Sequence, residues 1–383
     1  MRTKKRKKES TLGLVFACCI LLFMLLNIFV PNKEMSEQEN RMLAQRPKIT
    51  LEGLVSGNYM TRYEEYLKDQ FAGRDLLSQL QVSLKRICGS KLENGVLIGK
   101  DDQLMEEIVT PDQETLNENL DAIQLFASEN DDLNMYMILV PDAANILSDD
   151  LPSLATVADQ NRLMAQVKRE LGDSLQWIDA TAELNQHTEE DIYYKTDRHW
   201  TSLGAFYVFS AATETMGISE KAPSSFVAYP VSTTFNGILA AKSGARLDVT
   251  EDIYIYTQKE AATDVVVNYV DEQRKTTSLY DSSKLETRDQ YDVFLGGDTS
   301  VIDIKTVSDS KRRLLLVKDS FANSFVQFLT PYFREIVVVD PRYYSGSIED
   351  IMDTYRISDV LFLYGGNTFF QDNNISGVFN SEQ

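Results

Sequence analysis

Residues 312–340 read RRLLLVKDSFANSFVQFLTPYFREIVVVD. Two short and almost wholly apolar runs, Leu314–Val317 and Ile336–Val339, flank a segment, Ala322–Leu329, whose apolar residues have helical spacing. Apolar runs of this length are typical of strands that are buried on both faces. A strand, a helix and a second strand in this order predict two parallel strands joined by a crossover helix.

The same alternation continues on both sides of this stretch. Downstream, Ile348–Tyr355 predicts a helix and Val360–Tyr364 a third buried strand. Upstream, Met135–Val140 predicts another such strand, which lies between two segments with helical periodicity, 111–130 and 159–171. Strands that alternate with helices favour an α/β fold, here a three-layer domain with a mainly parallel sheet.

The pattern changes between residues 222 and 297. Period-two alternation, as in Ile253–Tyr256, is typical of antiparallel strands. We therefore predict a β-rich insertion at 222–297 within an α/β domain of residues 111–383. Residues 31–110 are predicted to form a polar membrane-proximal segment, in which Asn94-Gly95 indicates a hairpin turn.

The first thirty residues have the composition of a membrane anchor. Residues 1–11 form a basic tail, and the next nineteen, LGLVFACCILLFMLLNIFV at 12–30, would span roughly 29 Å as a helix, close to the hydrocarbon thickness of a bilayer. A cleaved signal peptide would have a shorter apolar core followed by a small-residue cleavage site, and residues 27–31 offer no such site. A lipoprotein signal would end at Cys18, but the apolar run continues beyond it. We predict a single-pass transmembrane helix at 12–30, with the N-terminus in the cytoplasm and the C-terminal domain outside the cell.

Composition argues against several kinds of partner. The chain has 38 basic and 58 acidic residues and a formal net charge of −20, whereas a surface that binds duplex nucleic acid is basic. No nucleic-acid partner is therefore predicted. Two histidines and three cysteines leave few of the ligands from which zinc sites are built, so no metal site is predicted, and no cofactor is predicted either.

Ser320 lies where a parallel sheet usually carries its chemistry, beyond the carboxyl end of a strand. It follows the strand that ends at Val317 and precedes the predicted helix, so free amide groups there can stabilise a developing oxyanion. The alternative is a serine that only caps the helix. The local pattern leaves both interpretations open.

Asp197 and His199 form a second candidate pair, with Trp200 beside them to limit the access of water. One residue separates the acid from the histidine, so in an extended segment both side chains point the same way. A carboxylate bonded to one imidazole nitrogen leaves the other free to accept a proton from a serine. The alternative is a structural histidine beside a capping acid.

Several sequence blocks, in this order, resemble those of one family. They are Glu37–Arg41, Asn94–Gly99, Tyr194–Trp200, Lys318–Ser324 and Val339–Tyr344. With these blocks the chain closely resembles the DHHW proteins of Gram-positive bacteria, which are similar to the SGNH-hydrolase-like domains of the alginate O-acetyltransferase group. The resemblance implies an SGNH-hydrolase-like fold over nearly the whole exported chain.

The resemblance also implies a catalytic triad. Asp197 matches the family's acid, His199 its base and Ser320 its nucleophile. The acid and base precede the serine in the chain, which is the reverse of the order in ordinary SGNH hydrolases. Arg198 stands where the name-giving motif of the family has a histidine.

Five further residues are candidates for binding the substrate or the oxyanion, in addition to the Ser320 amide: Trp200, Gly296, Gly297, Asn323 and Arg342. Asn323 and the two glycines have an alternative interpretation as turn residues. Arg342 follows the end of a predicted strand, where it either binds a carboxylate or carbonyl of the substrate or forms an ion pair.

The predicted function is that of a membrane-anchored, extracytoplasmic O-acetyltransferase that acts on a cell-surface polysaccharide or exopolysaccharide. The resemblance implies a membrane-bound O-acyltransferase as its acetyl-donor partner, because an exported site has no access to a cytoplasmic thioester. One alternative is an extracellular carbohydrate esterase with the same triad. Another is a non-catalytic envelope protein that binds glycan or scaffolds an assembly.

Overall fold

The structure of the chain is a computed structural model. It describes residues 92–380 except 154, 245–246, 248 and 260–263, together with 15–16, 18, 20–21, 24–25, 27, 29–36, 41–51, 53, 56–74, 76–77 and 80. The chain divides into two compact units, residues 1–90 with 244–246 and residues 91–243 with 247–383.

The smaller unit contains a short antiparallel pair and a helix. Strand β1 (Met35–Ser36) pairs with β2 (Arg41–Met42), and helix α1 spans Asn58–Asp69. The transmembrane helix predicted at 12–30 lies partly outside the described residues. Within the described part of the chain, no helix combines the length and the apolar character that crossing a membrane requires.

The larger unit begins with a three-stranded antiparallel sheet. Its strands are β3 (Leu92–Glu93), β4 (Val96–Ile98) and β5 (Leu104–Glu106). Asn94 and Gly95 both have positive φ, 51° and 75°, which is the conformation that the predicted hairpin turn requires. This sheet is hydrogen-bonded to the rest of the larger unit: the amide of Leu104 donates to the carbonyl of Lys195 at 2.8 Å.

The other strands are β6 (Asn134–Val140), β7 (Gln176–Trp177), β8 (Phe226–Phe235), β9 (Glu251–Gln258), β10 (Val265–Tyr269), β11 (Arg274–Thr276), β12 (Val301–Thr306), β13 (Arg313–Lys318), β14 (Glu335–Val339) and β15 (Asp359–Gly365). The helices are α2 (Gln113–Glu129), α3 (Ala143–Ile146), α4 (Gln160–Leu171), α5 (Ala180–Leu184), α6 (Ser202–Thr215), α7 (Ile238–Ser243), α8 (Ile348–Tyr355), α9 (Gly366–Gln371) and α10 (Ile375–Phe379).

The central sheet has eight strands in the order β11-β10-β12-β14-β13-β15-β6-β7. The five strands from β14 to β7 are parallel, and β12, β10 and β11 extend the sheet with antiparallel pairs. The sheet is therefore mixed, whereas the sequence predicted a mainly parallel one. Residues 307–312, which connect β12 to β13, are too few for a crossover helix, so β12 runs antiparallel to the strands that follow it.

The predicted β-rich insertion at 222–297 is only partly a separate element. Strands β8 and β9 form an antiparallel pair of their own. Strands β10 and β11 instead join the edge of the central sheet, where β10 is hydrogen-bonded to β12. The antiparallel character predicted for this region is confirmed, but half of its strands belong to the main sheet.

Both faces of the central sheet are covered. In β13, Leu314 and Leu316 belong to one buried apolar cluster, and Leu315 and Val317 belong to another. Helix α6 packs into the first cluster through Phe209, while α2 and α4 pack into the second. This arrangement of helix layer, sheet and helix layer is the predicted three-layer α/β architecture.

The helix predicted at Ala322–Leu329 is replaced by two 3-10 segments, Ser320–Ser324 and Val326–Phe328. The carbonyls of Ser320 and Phe321 would accept the next bonds of an α-helix, but they accept side-chain hydrogen bonds from Tyr291 Oη and Trp200 Nε1. The backbone after β13 is thus held in a tighter turn by side chains from two other loops.

Candidate active site

Two loops meet beyond the carboxyl end of β13. One is the 3-10 turn that begins at Ser320, directly after Lys318 and Asp319. The other is a series of bends at residues 195–199, closed by an antiparallel bridge between Tyr193 and Trp200. The predicted extended conformation of this second loop is therefore wrong, yet the loop still brings its acid and its histidine together.

The three residues of the predicted triad are hydrogen-bonded in a line. His199 Nε2 lies 2.8 Å from Ser320 Oγ, and His199 Nδ1 lies 2.6 Å from Asp197 Oδ1. All three residues are buried, with Ser320 and His199 5% and 6% exposed. This is the geometry in which an imidazole can take a proton from a serine hydroxyl while a carboxylate fixes its tautomer.

Asp197 is ionised in this environment. Burial on its own would raise the pKa of its carboxyl, but electrostatic interaction with His199 and hydrogen bonds from His199 and from the Ile238 amide lower that pKa to about 2. The Ile238 amide donates to Asp197 Oδ2 at 3.0 Å, and the His199 amide donates to Oδ1 at 3.0 Å. These contacts keep the Asp197 carboxylate ionised and fix its orientation.

The region between β8 and β10 positions this acid. A side chain at Gly237 would collide with Asp197, because a Cβ there would lie 2.4 Å from Asp197 Oδ2. At the start of β9, the carboxylate of Glu251 accepts hydrogen bonds from the amides of Lys195 and Thr196 at 2.6 and 2.8 Å. The segment between α6 and β10 thus supports the loop that carries Asp197 and His199.

The turn that begins at Ser320 is fixed by a buried carboxylate. Asp319 is 0% exposed, and it accepts hydrogen bonds from the amides of Phe321 at 2.9 Å and Gly365 at 3.1 Å. A Cβ at Gly365 would lie 2.5 Å from the ring of Phe321, so the close approach of β15 to this turn requires a glycine. The Ser320 amide opens the turn, where a helical segment has no internal acceptor for its first N–H groups.

Two aromatic residues connect the two loops. Trp200 is completely buried, and its Nε1 donates to the carbonyl of Phe321 at 3.0 Å and to Ser324 Oγ at 3.1 Å. The ring of Tyr291 stacks on His199 with centroids 3.9 Å apart, and its hydroxyl donates to the Ser320 carbonyl at 3.2 Å. Trp200, which was predicted to bind substrate or limit water, is hydrogen-bonded to the turn that carries Ser320, and Tyr291 was not predicted from the sequence.

Asn323 and Arg342 belong to an ionic network centred on Asp298. One N–H of the Asn323 amide donates to Asp298 Oδ1 at 3.2 Å, and Arg342 Nη2 lies 3.1 Å from Asp298 Oδ2 and 2.6 Å from Asp340 Oδ2. Lys318, only 1% exposed, is paired with the same two carboxylates. Arg342 is thus engaged in the ion pair that was the alternative to its predicted role in substrate binding.

Gly296 and Gly297 form a turn with φ values of 73° and 100°, and the Gly297 amide donates to the carbonyl of Phe294 at 3.3 Å. The residues before this turn are the end of a 3-10 segment at Val293 and a single antiparallel bridge at Phe294. Gly296 and Gly297 therefore shape the turn. This turn places Asp298 in the ionic network beside Ser320.

Arg198 is the most unexpected member of the site. Its Nη2 donates to Ser320 Oγ at 3.1 Å, so the hydroxyl lies between a guanidinium and the imidazole. The sequence identified Arg198 only as a departure from the family motif. The signal that could have found it is its position between Asp197 and His199, from which the bent loop brings its long side chain to Ser320.

A further buried carboxylate lies at the end of β6. Asp142 is 3% exposed and accepts hydrogen bonds from the side-chain amide of Gln160 and, at 2.9 Å, from the backbone amide of Asn367. Burial is the largest influence on this group and raises the pKa of its carboxyl to about 7. Asp142 therefore retains its proton in the folded protein at pH values where the unfolded chain has lost it.

This raised pKa predicts a loss of stability with rising pH. Between about pH 4 and pH 7 the folded state binds a proton that the unfolded state does not, so the free energy of unfolding falls across that window and levels off above it. Asp142→Asn keeps an acceptor oxygen and removes the titration. We expect the difference in unfolding free energy between pH 5 and pH 8 to shrink by on the order of 1–3 kcal/mol in this variant, measured by urea unfolding. Asp132→Asn, at an exposed position, serves as control, and an identical pH dependence in wild type and Asp142→Asn would contradict the prediction.

Comparison with known proteins identifies the family. A model of the DHHW protein family matches residues 123–339, which is more than half of the chain and includes Asp197, His199 and Ser320. The chain belongs to the DHHW family. A search of the curated proteins finds no significant match.

Solved structures show the same fold. A DHHW family protein from Eubacterium siraeum is 24% identical, with a TM-score of 0.62 over 76% of this chain and 96% of that one. Bacillus cereus PatB1, solved with a sulfonyl adduct, is 21% identical, with a TM-score of 0.62 over 74% of this chain and 97% of that one. The O-acetyltransferase domain of Pseudomonas putida AlgJ is 15% identical, with a TM-score of 0.47 over 75% of this chain and 99% of that one. The first two similarities establish that this DHHW chain has the α/β fold of these proteins.

Proposed function

We propose that this DHHW protein is an extracytoplasmic O-acetyltransferase that acts on a cell-surface polysaccharide or exopolysaccharide. The observation that carries the proposal is the hydrogen-bonded line from Ser320 Oγ through His199 to Asp197, at 2.8 and 2.6 Å. Family membership supports it, because the resemblance seen in the sequence assigns the same three residues to a triad. The polysaccharide acceptor is inferred from the resemblance seen in the sequence.

The proposed reaction has two steps. Ser320 Oγ attacks the carbonyl carbon of an acetyl ester while its proton moves to His199 Nε2, and the leaving oxygen takes that proton as it departs. A sugar hydroxyl then attacks the acetyl-serine, gives its proton to His199, and returns the serine hydroxyl. The burial of Ser320 and His199 favours a positioned sugar hydroxyl over bulk water in the second step.

We also propose that the protein is anchored in the cell membrane and has a membrane-bound partner. The basic tail and the apolar run at 12–30 would anchor it in the cell membrane, with the domain that carries the triad outside. A membrane-bound O-acyltransferase would then supply acetyl groups across the membrane. The chain has a net charge of −20, so it would not bind a polyanion by charge alone. An uncharged sugar hydroxyl is consistent with this charge as the acceptor.

A transfer assay tests this function. The purified protein is incubated with an acetyl-phenyl ester and with oligosaccharides released from the envelope of the source cells, and acetylated sugar and free acetate are measured separately. We expect acetylated oligosaccharide to form in wild type and to be absent in Ser320→Ala. Free acetate without acetylated sugar would replace the transferase by an esterase. The absence of both products in a folded protein would leave a binding or scaffolding role.

A further inference from the structure

Arg198 differs from the other half-buried arginines near the sheet in what it binds. Arg312, Arg313 and Arg342 each hold a carboxylate oxygen at close range. Arg198 instead donates a hydrogen bond from Nη2 to Ser320 Oγ, at 3.1 Å. A cation that contacts the nucleophile itself is placed where negative charge develops during acyl transfer.

The guanidinium of Arg198 has an unused donor on the same edge. Nε and Nη2 present their N–H groups in the same direction, which is how a guanidinium binds two oxygens side by side. Nη2 is bonded to Ser320 Oγ, while Nε is buried and has no hydrogen-bond partner among the residues that the structure describes. A buried donor without a partner is costly, so its presence beside a nucleophile points to an acceptor that arrives with the substrate.

The surroundings keep Arg198 cationic. Burial alone would lower the pKa of its guanidinium, but the carboxylates of Glu106, Asp319 and Asp197 raise that pKa above its ordinary value. Asp319 and Asp197 accept hydrogen bonds from backbone amides, which fix their positions. Their negative charges balance that of Arg198, and neither carboxylate occupies its Nε. The guanidinium therefore stays charged and keeps one edge directed at the reacting atoms.

We propose that Arg198 is a catalytic residue that binds the oxyanion of the tetrahedral intermediate through Nε, while its Nη2 stays bonded to Ser320 Oγ. The proposal rests on the acyl-transfer function given above and assigns to it a donor that the family motif, with its histidine at this position, does not contain.

The proposed step moves one proton and one electron pair. As Ser320 Oγ bonds to the acetyl carbon, its proton passes to His199 and the electron pair of the carbonyl moves to the carbonyl oxygen. That oxygen and Oγ are then bound to the same carbon, so an oxyanion lies within reach of the guanidinium edge whose Nη2 already contacts Oγ. When the intermediate collapses, the electron pair returns and the leaving oxygen takes the proton from His199. Arg198 gains and loses no proton in the cycle.

The test compares Arg198→Met with wild type in the hydrolysis of an acetyl-phenyl ester by the purified protein. We expect kcat to fall by about 10²- to 10³-fold with KM changed less than about threefold, because the donor is used only when the oxyanion forms. Arg169→Met, which removes an exposed cation on α4, should leave both constants unchanged. Added guanidinium ion at millimolar concentration should restore part of the lost kcat in Arg198→Met and should not affect Ser320→Ala.

The two variants test different claims: Arg198→Met tests the role of Arg198, and Ser320→Ala tests the proposed function. If Ser320→Ala is inactive and Arg198→Met keeps a kcat within about threefold of wild type, the role of Arg198 is overturned and the transferase stands. If Ser320→Ala is as active as wild type, the proposed function itself fails. Should Arg198→Met not fold, Arg198→Lys retains the charge and loses the two-donor edge. We expect its kcat to fall by about 10- to 100-fold at constant KM, and an unchanged kcat would overturn the inference.

Discussion

Replacing Ser320 by alanine should reduce acetyl release from an acetyl-phenyl ester by about 10⁴-fold or more. In the proposed reaction the Ser320 oxygen, which lies 2.8 Å from His199 Nε2, is the protein atom that bonds to the acetyl carbon, and alanine has no substitute for it. The effect should appear in kcat, measured with the purified protein, and the acetate content of the cell-surface glycan should fall in cells that carry the variant.

The control for this substitution is Ser128→Ala. Ser128 is an exposed serine in α2 whose hydroxyl bonds only locally, to the carbonyl of Leu125, so its loss should leave activity unchanged. Thermal melting of both variants checks that they fold. Wild-type activity in a folded Ser320→Ala protein would remove the serine from the reaction.

Replacing Asp197 by asparagine should lower kcat by about 10³- to 10⁴-fold. Asparagine can keep the hydrogen bond from the Ile238 amide, but it offers His199 Nδ1 a neutral partner, so the tautomer and the imidazolium that forms during proton transfer lose their stabilisation. The expected loss is smaller than for Ser320→Ala because the nucleophile and the oxyanion donors remain. An Asp197→Asn protein with kcat within tenfold of wild type would contradict the assignment of the acid.

Gly237→Ala provides an independent route to the same result. The added methyl group would lie 2.4 Å from Asp197 Oδ2 and push the carboxylate out of line with His199, so kcat should fall although all three triad residues are present. Gly377→Ala is the matched control, because a Cβ at that glycine meets no atom within 4 Å. Equal activity in the two glycine variants would show that the position of Asp197 is unimportant.

The parallel half of the sheet could be predicted because its strands are buried on both faces and read as continuous apolar runs. The predicted Leu314–Val317 and Ile336–Val339 lie within β13 and β14. The antiparallel half is less visible in the sequence. In β12, Asp303 and Lys305 interrupt the apolar run, and the direction of that strand depends on the short loop that follows it.

The three hydrogen-bonded residues proposed as acid, base and nucleophile could be selected from the sequence for a different reason. Asp197 and His199 are close in sequence, and Ser320 follows a strand whose carboxyl end can be recognised. Tyr291 has no comparable local signal, since its place on the ring of His199 is set only by tertiary packing. Arg198 was missed because an extended segment would direct it away from its neighbours, whereas the bends at 195–199 return it to Ser320.

The most direct measurement is the site of acetylation in the acyl-enzyme. The purified protein is mixed with an acetyl-phenyl ester, the reaction is stopped with acid within the first turnovers, and the peptides are analysed by mass spectrometry. A Ser320 nucleophile predicts one acetyl group on Ser320 in wild type and none at position 320 in Ser320→Ala. Acetylation that is absent from Ser320, or that falls equally on lysines in both proteins, would contradict a covalent acetyl-serine intermediate.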